Sequence, residues 1–217
     1  MSEDAPLILA SESPRRRELM KALGIDFQIY PAAIDEEKLH REVKNPEELV
    51  QKLALAKAQA VYDEHPSSIV LGADTLVCLG SRIFGKPADA QEARAMLLAL
   101  RGRPHRVTTG LALITPGAMT PLVAHVGTSV LMRSYSDDEI AAYIASGAAL
   151  DKAGAYGIQD VEFHPAAPVN GCYFNVVGLP ICATSELFRQ VGITPRINLG
   201  VTSACISHRC PFVGLGP

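Results

Sequence analysis

The chain has 217 residues, of which 48% are hydrophobic and 20% charged, and its formal net charge is −3. These values predict one large globular domain or two closely packed lobes, and they exclude the collagen, coiled-coil and disordered classes. The slight acidic excess argues against binding along a nucleic-acid backbone, although a local cluster of basic residues can still hold a small anion.

Predicted strands and helices alternate along the chain. The strands are short apolar or β-branched runs, and the helices begin at serine, asparagine or aspartate N-caps. The predicted strands cover 7–10, 26–30, 68–73 with an extended continuation over 76–79, a long hairpin over 107–133, and 172–177. The predicted helices cover 13–24, 45–65, 89–100, 137–146 and 181–191. We therefore expect an α/β fold with a mixed sheet and flanking helices, arranged as two closely packed lobes with an active-site cleft between them.

Cysteine usage and hydropathy predict the compartment. The five cysteines are odd in number and irregularly spaced, so a disulfide framework is not expected and a reducing cytoplasm fits best. Residues 107–131 carry no charge, but Pro116, Gly117 and Pro121 interrupt this stretch. A β-hairpin explains these breaks better than a membrane span does. We expect a cytoplasmic protein that binds neither membrane nor nucleic acid.

The end of the chain is expected to differ from the rest. We predict a single domain over 1–193 and a poorly ordered tail over 194–217, because four of the last seven residues are glycine or proline. Cys205, His208 and Cys210 in this tail are residue types that bind zinc, but three ligands are too few for a closed structural site. The sequence favours a plain tail and leaves a metal site as the alternative.

A candidate anion site follows the first predicted strand. Ser11 ends that strand, and Arg15, Arg16 and Arg17 lie in the first turn of the following helix. Helix N-terminal N–H groups and guanidinium groups both favour phosphate oxygens. Basic residues are unfavourable at the positive end of a helix, so a bound anion explains this cluster better than a solvated basic surface does.

Acidic residues and two lysines supply the rest of a candidate site. Asp74 follows an apolar strand, where it could serve as a general base, a metal ligand or only a turn residue. Glu36, in a predicted loop, offers a further oxygen ligand, while Lys57 and Lys86 can neutralise phosphate charge. The common mononucleotide, dinucleotide, zinc-protease and serine-hydrolase motifs are absent. Opposed acidic and basic groups indicate metal-assisted attack of water on a phosphate ester or anhydride.

Five segments carry motifs in a characteristic order and spacing, namely 9–19, 72–75, 85–87, 151–159 and 175–180. In these segments the chain resembles the Maf family of nucleoside triphosphate pyrophosphatases. The resemblance implies hydrolysis of a nucleoside triphosphate to the monophosphate and pyrophosphate with a divalent cation, Mg²⁺ or Mn²⁺, and it implies a homodimer. The alternatives are a nucleotide-binding regulator of cell division or septum formation, and an interaction domain whose charges are only surface features.

The resemblance also implies catalytic roles for the acidic residues and lysines. Asp74 matches the proton acceptor of the family, and Glu36 and Lys57 match its acidic and basic catalytic positions. Lys86 matches the lysine of a short glycine-lysine-proline motif. Glu36 and Asp74 are the expected ligands of the divalent cation.

Substrate-binding roles are implied in the same way. Ser11, Arg15 and Arg16 match the phosphate-binding stretch of the family. Arg15, Thr75 and Gln159 resemble the branch that hydrolyses dTTP and UTP, whereas a second branch prefers 7-methyl-GTP. The side-chain amide of Gln159 can both donate and accept a hydrogen bond, which suits the edge of a pyrimidine.

Overall fold

The computed structural model describes residues 5–197, which fold around one mixed sheet of seven strands. The strands are Leu7–Ala10 (β1), Gln28–Ile29 (β2), Ile69–Leu79 (β3), Arg82–Phe84 (β4), Pro104–Ile114 (β5), Leu122–Met132 (β6) and Ala166–Asn170 (β7). The helices are Pro14–Lys21 (α1), Glu36–Glu42 (α2), Pro46–Glu64 (α3), Ala90–Leu100 (α4), Asp137–Ala145 (α5), Tyr173–Val177 (α6) and Ile181–Gln190 (α7). The predicted α/β class and mixed sheet are confirmed, whereas the division into two lobes stays a prediction.

The sheet order leaves a gap beside its longest inner strand. The strands follow the order β2-β1-β3-β5-β6-β7, and β4 forms a hairpin with β3. On that side of β3, β1 pairs in parallel with the first four residues and β4 pairs with the last three. Among the described strands, none pairs with positions 73–76 at this edge. Open α/β sheets often bind ligands beyond the carboxyl end of a strand, and Asp74 and Thr75 lie at this place, beyond the end of β1.

Alternate residues of β3 point to opposite faces of the sheet, as the period of a strand requires. Leu71 packs in the cluster formed with α1, α6 and α7, whereas Val70 packs in the cluster under α3. The same alternation places the side chain of Asp74 on the α3 face and that of Thr75 on the opposite face. The two neighbouring residues therefore present their polar groups on the two sides of the sheet edge.

Two glycines allow α3 to lie very close to the sheet. A Cβ atom at Gly72 would lie 2.1 Å from the carbonyl oxygen of Ala54, and one at Gly110 would lie 2.3 Å from the carbonyl oxygen of Val50. Both atoms that a side chain would meet belong to the helix backbone, which cannot rotate aside. This close approach brings the second half of α3, including Lys57, down to the gap beside β3.

Gly72→Ala is expected to destabilise the fold, because the added methyl group must push α3 away from the sheet. We expect a loss at the upper end of the about 1–3 kcal/mol typical of overpacked cores. Urea unfolding measures this loss, and Gly85→Ala is the control, since a Cβ there meets no atom within 4 Å. An unchanged unfolding midpoint for Gly72→Ala would show that α3 does not need this contact.

Most predicted elements are confirmed, but the strand predicted over 172–177 is wrong. Residues Tyr173–Val177 form α6, which ends at Gly178 with a φ of 124°, and the last strand is β7, which precedes this helix. A short apolar run fits a buried strand and a buried helix equally well, and periodicity cannot separate the two.

Two further predictions need correction near the N-terminus. The strand predicted over 26–30 shortens to Gln28–Ile29. Glu36 does not lie in a loop but begins α2, whose N-cap is Asp35; the Asp35 carboxylate accepts a hydrogen bond of 3.0 Å from the backbone N–H of Lys38. An acidic triplet is common on solvated loops, but here it supplies the cap and the favourable negative charges of a helix N-terminus.

The predicted domain limits, 1–193 and 194–217, stay predictions, because most of the tail lies outside the described residues. Cys205, His208 and Cys210 lie outside them as well. Within 5–197, no helix is both long and apolar enough to cross a bilayer. The uncharged stretch 107–131, for which a membrane span was the alternative, forms most of β5, β6 and their connection, as the predicted hairpin requires.

Candidate active site

Every element that borders the gap beside β3 contributes a residue predicted from the sequence. Ser11 follows β1, α1 carries Arg15 and Arg16, and Glu36 begins α2. On the other side, Lys86 follows β4 and Gln159 follows a short 3-10 turn over Ala153–Ala155. Lys57 on α3 and Asp74 and Thr75 on β3 complete the set. Six of these predicted residues form two separate clusters, one on each face of the sheet.

The first cluster is an ion triad on the α3 face. The Nζ atom of Lys57 lies 2.5 Å from Oδ1 of Asp74 and 2.7 Å from Oε1 of Glu36. The Asp74 residue is only 7% exposed, whereas about half of the Glu36 side chain is exposed. One ammonium group thus pairs with two carboxylates. The triad keeps a net charge of −1, which favours binding of a further cation. The arrangement suits a base whose orientation is fixed by a neighbouring lysine.

The pKa of Glu36 reflects this triad. Partial burial raises the pKa of Glu36. The hydrogen bond from Lys57 and the positive charges of Lys57, His40 and Lys86 lower it, and together they outweigh the effect of burial. The net result is a pKa below the ordinary value of a glutamate, so Glu36 is ionised at neutral pH. Lys86 is exposed and makes no hydrogen bond or ion pair with another described residue, which leaves its ammonium group available for a phosphate.

The second cluster centres on Arg16, on the opposite face. Its Nε donates to the carbonyl oxygen of Gly178 at 2.9 Å, and its two terminal nitrogens donate to Ser11 Oγ at 3.1 Å and to Thr75 Oγ1 at 3.0 Å. Burial lowers the pKa of this guanidinium, while the charge of Asp74 raises it. Three of its five N–H groups are engaged, so two remain for an anion. Arg16 is therefore a cation held in one orientation.

Arg15 makes a different contact from its neighbour. Its guanidinium donates to Oδ2 of Asp151 at 2.9 Å, which ties α1 to the segment 151–159. The backbone N–H of Gly154 donates to the carbonyl oxygen of Gly85 at 3.0 Å, so the same segment is also tied to the 85–87 loop. Gln159 is exposed at the end of this segment and makes no hydrogen bond with another described residue. The structure thus brings 151–159 to the gap but places Gln159 in neither cluster.

Three residues that contact the site had no predicted role. Asn175 and Gly178 lie in the segment 175–180, one of the five that resemble the Maf family, whereas Thr109 lies in none of these segments. The hydroxyl oxygens of Thr75 and Thr109 are 2.9 Å apart, and the two residues are paired across β3 and β5. Only the register of these strands reveals Thr109, and no local pattern in the sequence gives that register.

Glu36 and Asp74 are the described carboxylates in position to hold a divalent cation. No group of three or more histidine, cysteine or acidic residues suitable for a metal occurs within 5–197. Mg²⁺ commonly takes only one or two carboxylates and completes its shell with water and substrate phosphates. The donor set present therefore fits a cation that arrives with a phosphorylated ligand and does not fit a cage made by protein alone.

Comparison with known proteins shows the family of this chain. The sequence model described as "Maf-like protein" matches residues 6–191. This chain belongs to the Maf family. The Maf relatives include a dTTP/UTP pyrophosphatase of Thermomicrobium roseum, 46% identical over 95% of this chain and 93% of its own length. Another, from Symbiobacterium thermophilum, is 46% identical over 86% of this chain and 94% of its own length.

A third Maf relative, from Geobacillus, is 45% identical over 86% of this chain and 98% of its own length, and it is also named a dTTP/UTP pyrophosphatase. Among solved structures, a HAM1 protein from Coxiella burnetii matches with a TM-score of 0.40 and 17% identity, over 61% of this chain and 75% of that one. That likeness is too weak to support a conclusion, whereas the family match confirms the resemblance found in the sequence.

Proposed function

We propose that this protein hydrolyses dTTP and UTP to the nucleoside monophosphate and pyrophosphate. The observation that carries the proposal is the Lys57–Asp74 ion pair of 2.5 Å at an open sheet edge, with Arg16 fixed on the other side of that edge. A triphosphate lying across the edge meets a base on one side and a cation on the other. The names of the Maf relatives supply the reaction that fits this geometry.

In the proposed reaction, Asp74 accepts a proton from a water molecule that attacks the α-phosphorus. The new bond joins the water oxygen to the α-phosphorus, and the bond from this phosphorus to the α–β bridging oxygen breaks. Pyrophosphate then leaves with the electron pair of that bond. Lys57 orients the Asp74 carboxylate, while Ser11, Arg16 and Lys86 bind phosphate oxygens and oppose their negative charge.

Glu36 and Asp74 are proposed to hold Mg²⁺ or Mn²⁺ together with the phosphates. When bound, such a cation polarises the phosphate oxygens and balances charge in the transition state. Glu36 suits this role because its lowered pKa keeps it ionised and about half of its side chain is exposed. Lys57 would then share its two carboxylates with the cation.

Arg15, Thr75 and Gln159 are proposed to select the pyrimidine base. Arg15 contacts Asp151 at the start of the segment 151–159, Gln159 lies at the end of that segment, and Thr75 accepts a hydrogen bond from Arg16. This set supports dTTP and UTP over 7-methyl-GTP, which is the alternative substrate. A homodimer and a cytoplasmic location are part of the same proposal.

The proposal is tested by pyrophosphate release from dTTP, UTP, CTP and 7-methyl-GTP, with Mg²⁺, Mn²⁺ or a chelator. We expect metal-dependent turnover led by dTTP and UTP, and loss of turnover with the chelator. Turnover led by 7-methyl-GTP would contradict the assignment of the base-selecting residues. If the protein binds nucleotides but releases pyrophosphate from none of them, the assignment as an enzyme is wrong and a nucleotide-binding regulatory protein is favoured instead.

A further inference from the structure

A continuous chain of hydrogen bonds runs from the second cluster into the core. Arg16 donates to Thr75 Oγ1 at 3.0 Å, and the hydroxyl oxygens of Thr75 and Thr109 are 2.9 Å apart. The hydroxyl of Thr109 in turn donates to the backbone carbonyl oxygen of Asn175 at 2.9 Å. Thr109 and Asn175 are completely buried, so this chain connects the edge of the proposed substrate site to a rigid interior.

The chemistry of the two ends fixes the direction of every bond in the chain. A carbonyl oxygen can only accept, so the single hydroxyl hydrogen of Thr109 is donated to the carbonyl oxygen of Asn175. Thr109 can then only accept from Thr75, which uses the one hydroxyl hydrogen of Thr75. A guanidinium group cannot accept, so Thr75 also accepts from Arg16. The oxygen of Thr75 is left with one lone pair, and with no hydrogen, for a ligand.

The inner end of the chain cannot reorient easily. The side-chain amide of Asn175 donates to the carbonyl oxygen of Val107 and to Thr128 Oγ1, both at 2.9 Å, and its Oδ1 accepts from the backbone N–H of Thr109 at 3.0 Å. Val107 offers only an acceptor and the Thr109 backbone only a donor, so the amide fits in a single orientation. The backbone carbonyl of Asn175 also accepts from Gly178 at 3.1 Å.

We propose that Thr109 is a positioning residue that keeps the Thr75 hydroxyl as an acceptor and thereby selects a base with a ring N–H. The inference rests on the proposed function and extends it to the choice among pyrimidines. Uracil and thymine carry a hydrogen on N3, which matches the free lone pair of Thr75. Cytosine carries a lone pair on N3, which would face the oxygen lone pair and lose the hydrogen bond.

Thr109→Val tests this assignment, because valine keeps the shape of the side chain and removes its hydroxyl group. The Asn175 carbonyl keeps its bond from Gly178, while the Thr75 hydroxyl is released and can donate to N3 of cytosine. We expect the ratio of kcat/KM for UTP to that for CTP to fall about tenfold, the effect of one hydrogen bond of ordinary strength. Thr109→Ser keeps the hydroxyl and should retain the wild-type ratio.

Two controls separate positioning from a general effect on the fold. Thr184→Val removes another buried hydroxyl, which donates to the carbonyl oxygen of Pro180 at 3.0 Å far along the chain, and it should leave the ratio unchanged. In a Thr75→Val background, adding Thr109→Val should not change the ratio further, because Thr109 acts only through Thr75. If Thr109→Val folds poorly, Thr109→Ala replaces it, and the same fall in the UTP to CTP ratio is expected.

The outcomes distinguish this inference from the proposed function. Pyrophosphate release with an unchanged UTP to CTP ratio in Thr109→Val would overturn the role of Thr109 and leave the enzyme assignment intact. A wild type that turns over CTP as well as UTP would also overturn it. Absence of turnover with every nucleotide in the wild type would contradict the proposed function and this inference together.

Discussion

Asp74→Asn is expected to remove nearly all pyrophosphate release while nucleotide binding persists. An amide has almost the volume of the carboxylate but cannot take a proton from water, so kcat should fall towards the upper end of the about 10²–10⁴-fold attributed to a general base. Binding should stay similar or tighten slightly, since the variant removes a negative charge near the triphosphate. Steady-state kinetics gives kcat, and calorimetry of nucleotide binding gives the affinity.

The same substitution at Asp138 is the matched control. Asp138 is exposed in the first turn of α5 and belongs to neither cluster of the site, so Asp138→Asn should change neither quantity. The fold of Asp74→Asn should persist because Lys57 keeps its ion pair with Glu36. Equal losses of binding and turnover in Asp74→Asn would instead assign Asp74 to substrate or metal binding.

The sequence was sufficient to predict the residues whose position depends on one element boundary. Ser11 and Arg16 lie where a strand ends and a helix begins, and that boundary is given by an apolar run followed by a serine–proline N-cap. Asp74 was predicted in the same way from the β-branched strand before it. The structure confirms Ser11 at the carboxyl end of β1 and Arg16 in the helix that follows. The predicted strand end at Asp74 is wrong, because Asp74 lies inside β3, at the positions that neither β1 nor β4 pairs with.

Pairings between distant elements were not predictable from one sequence. The contact of Lys57 with Glu36 depends on where α2 begins, and that helix was not predicted. The contact of Thr75 with Thr109 depends on the register of two long antiparallel strands. A shift of one residue in this register would move the side chains of one strand to the opposite face of the sheet. The five-residue helix α6 is too short for a helical period to show, so its apolar residues resembled those of a strand.

The glycines show a further limit of sequence analysis. Gly72 belongs to a sequence motif, but nothing local in the sequence indicates that its missing side chain admits the backbone of α3. The functional consequence follows from the packing: Lys57 reaches Asp74 because the helix that carries it lies directly on the strand. A residue that touches no substrate thus sets the geometry of the proposed base.

Lys57→Met is expected to cost both activity and stability, because it leaves two carboxylates facing each other without a cation. The side chains of Lys57 and Asp74 are 13% and 10% exposed, so little water replaces the lost ammonium group at Asp74. Removal of one partner from a buried pair typically costs several kcal/mol; we expect about 3 kcal/mol, since Glu36 is half exposed and partly screened. Lys52→Met, on the exposed side of the same helix, is the matched control.

The pH dependence of Lys57→Met provides the sharper test. In the wild type, Lys57 contributes to the lowered pKa of Glu36, so this share of stability is present at neutral pH and is lost as pH falls through that lowered pKa. The variant lacks this contribution, and protonation of Glu36 relieves the repulsion that the missing ammonium group leaves uncompensated. The difference in unfolding free energy should therefore shrink as the solution is acidified, and Mg²⁺ at neutral pH should restore part of it by binding the two carboxylates. A difference that is constant with pH and insensitive to Mg²⁺ would show that the lost ammonium group acted through packing alone and not through its charge.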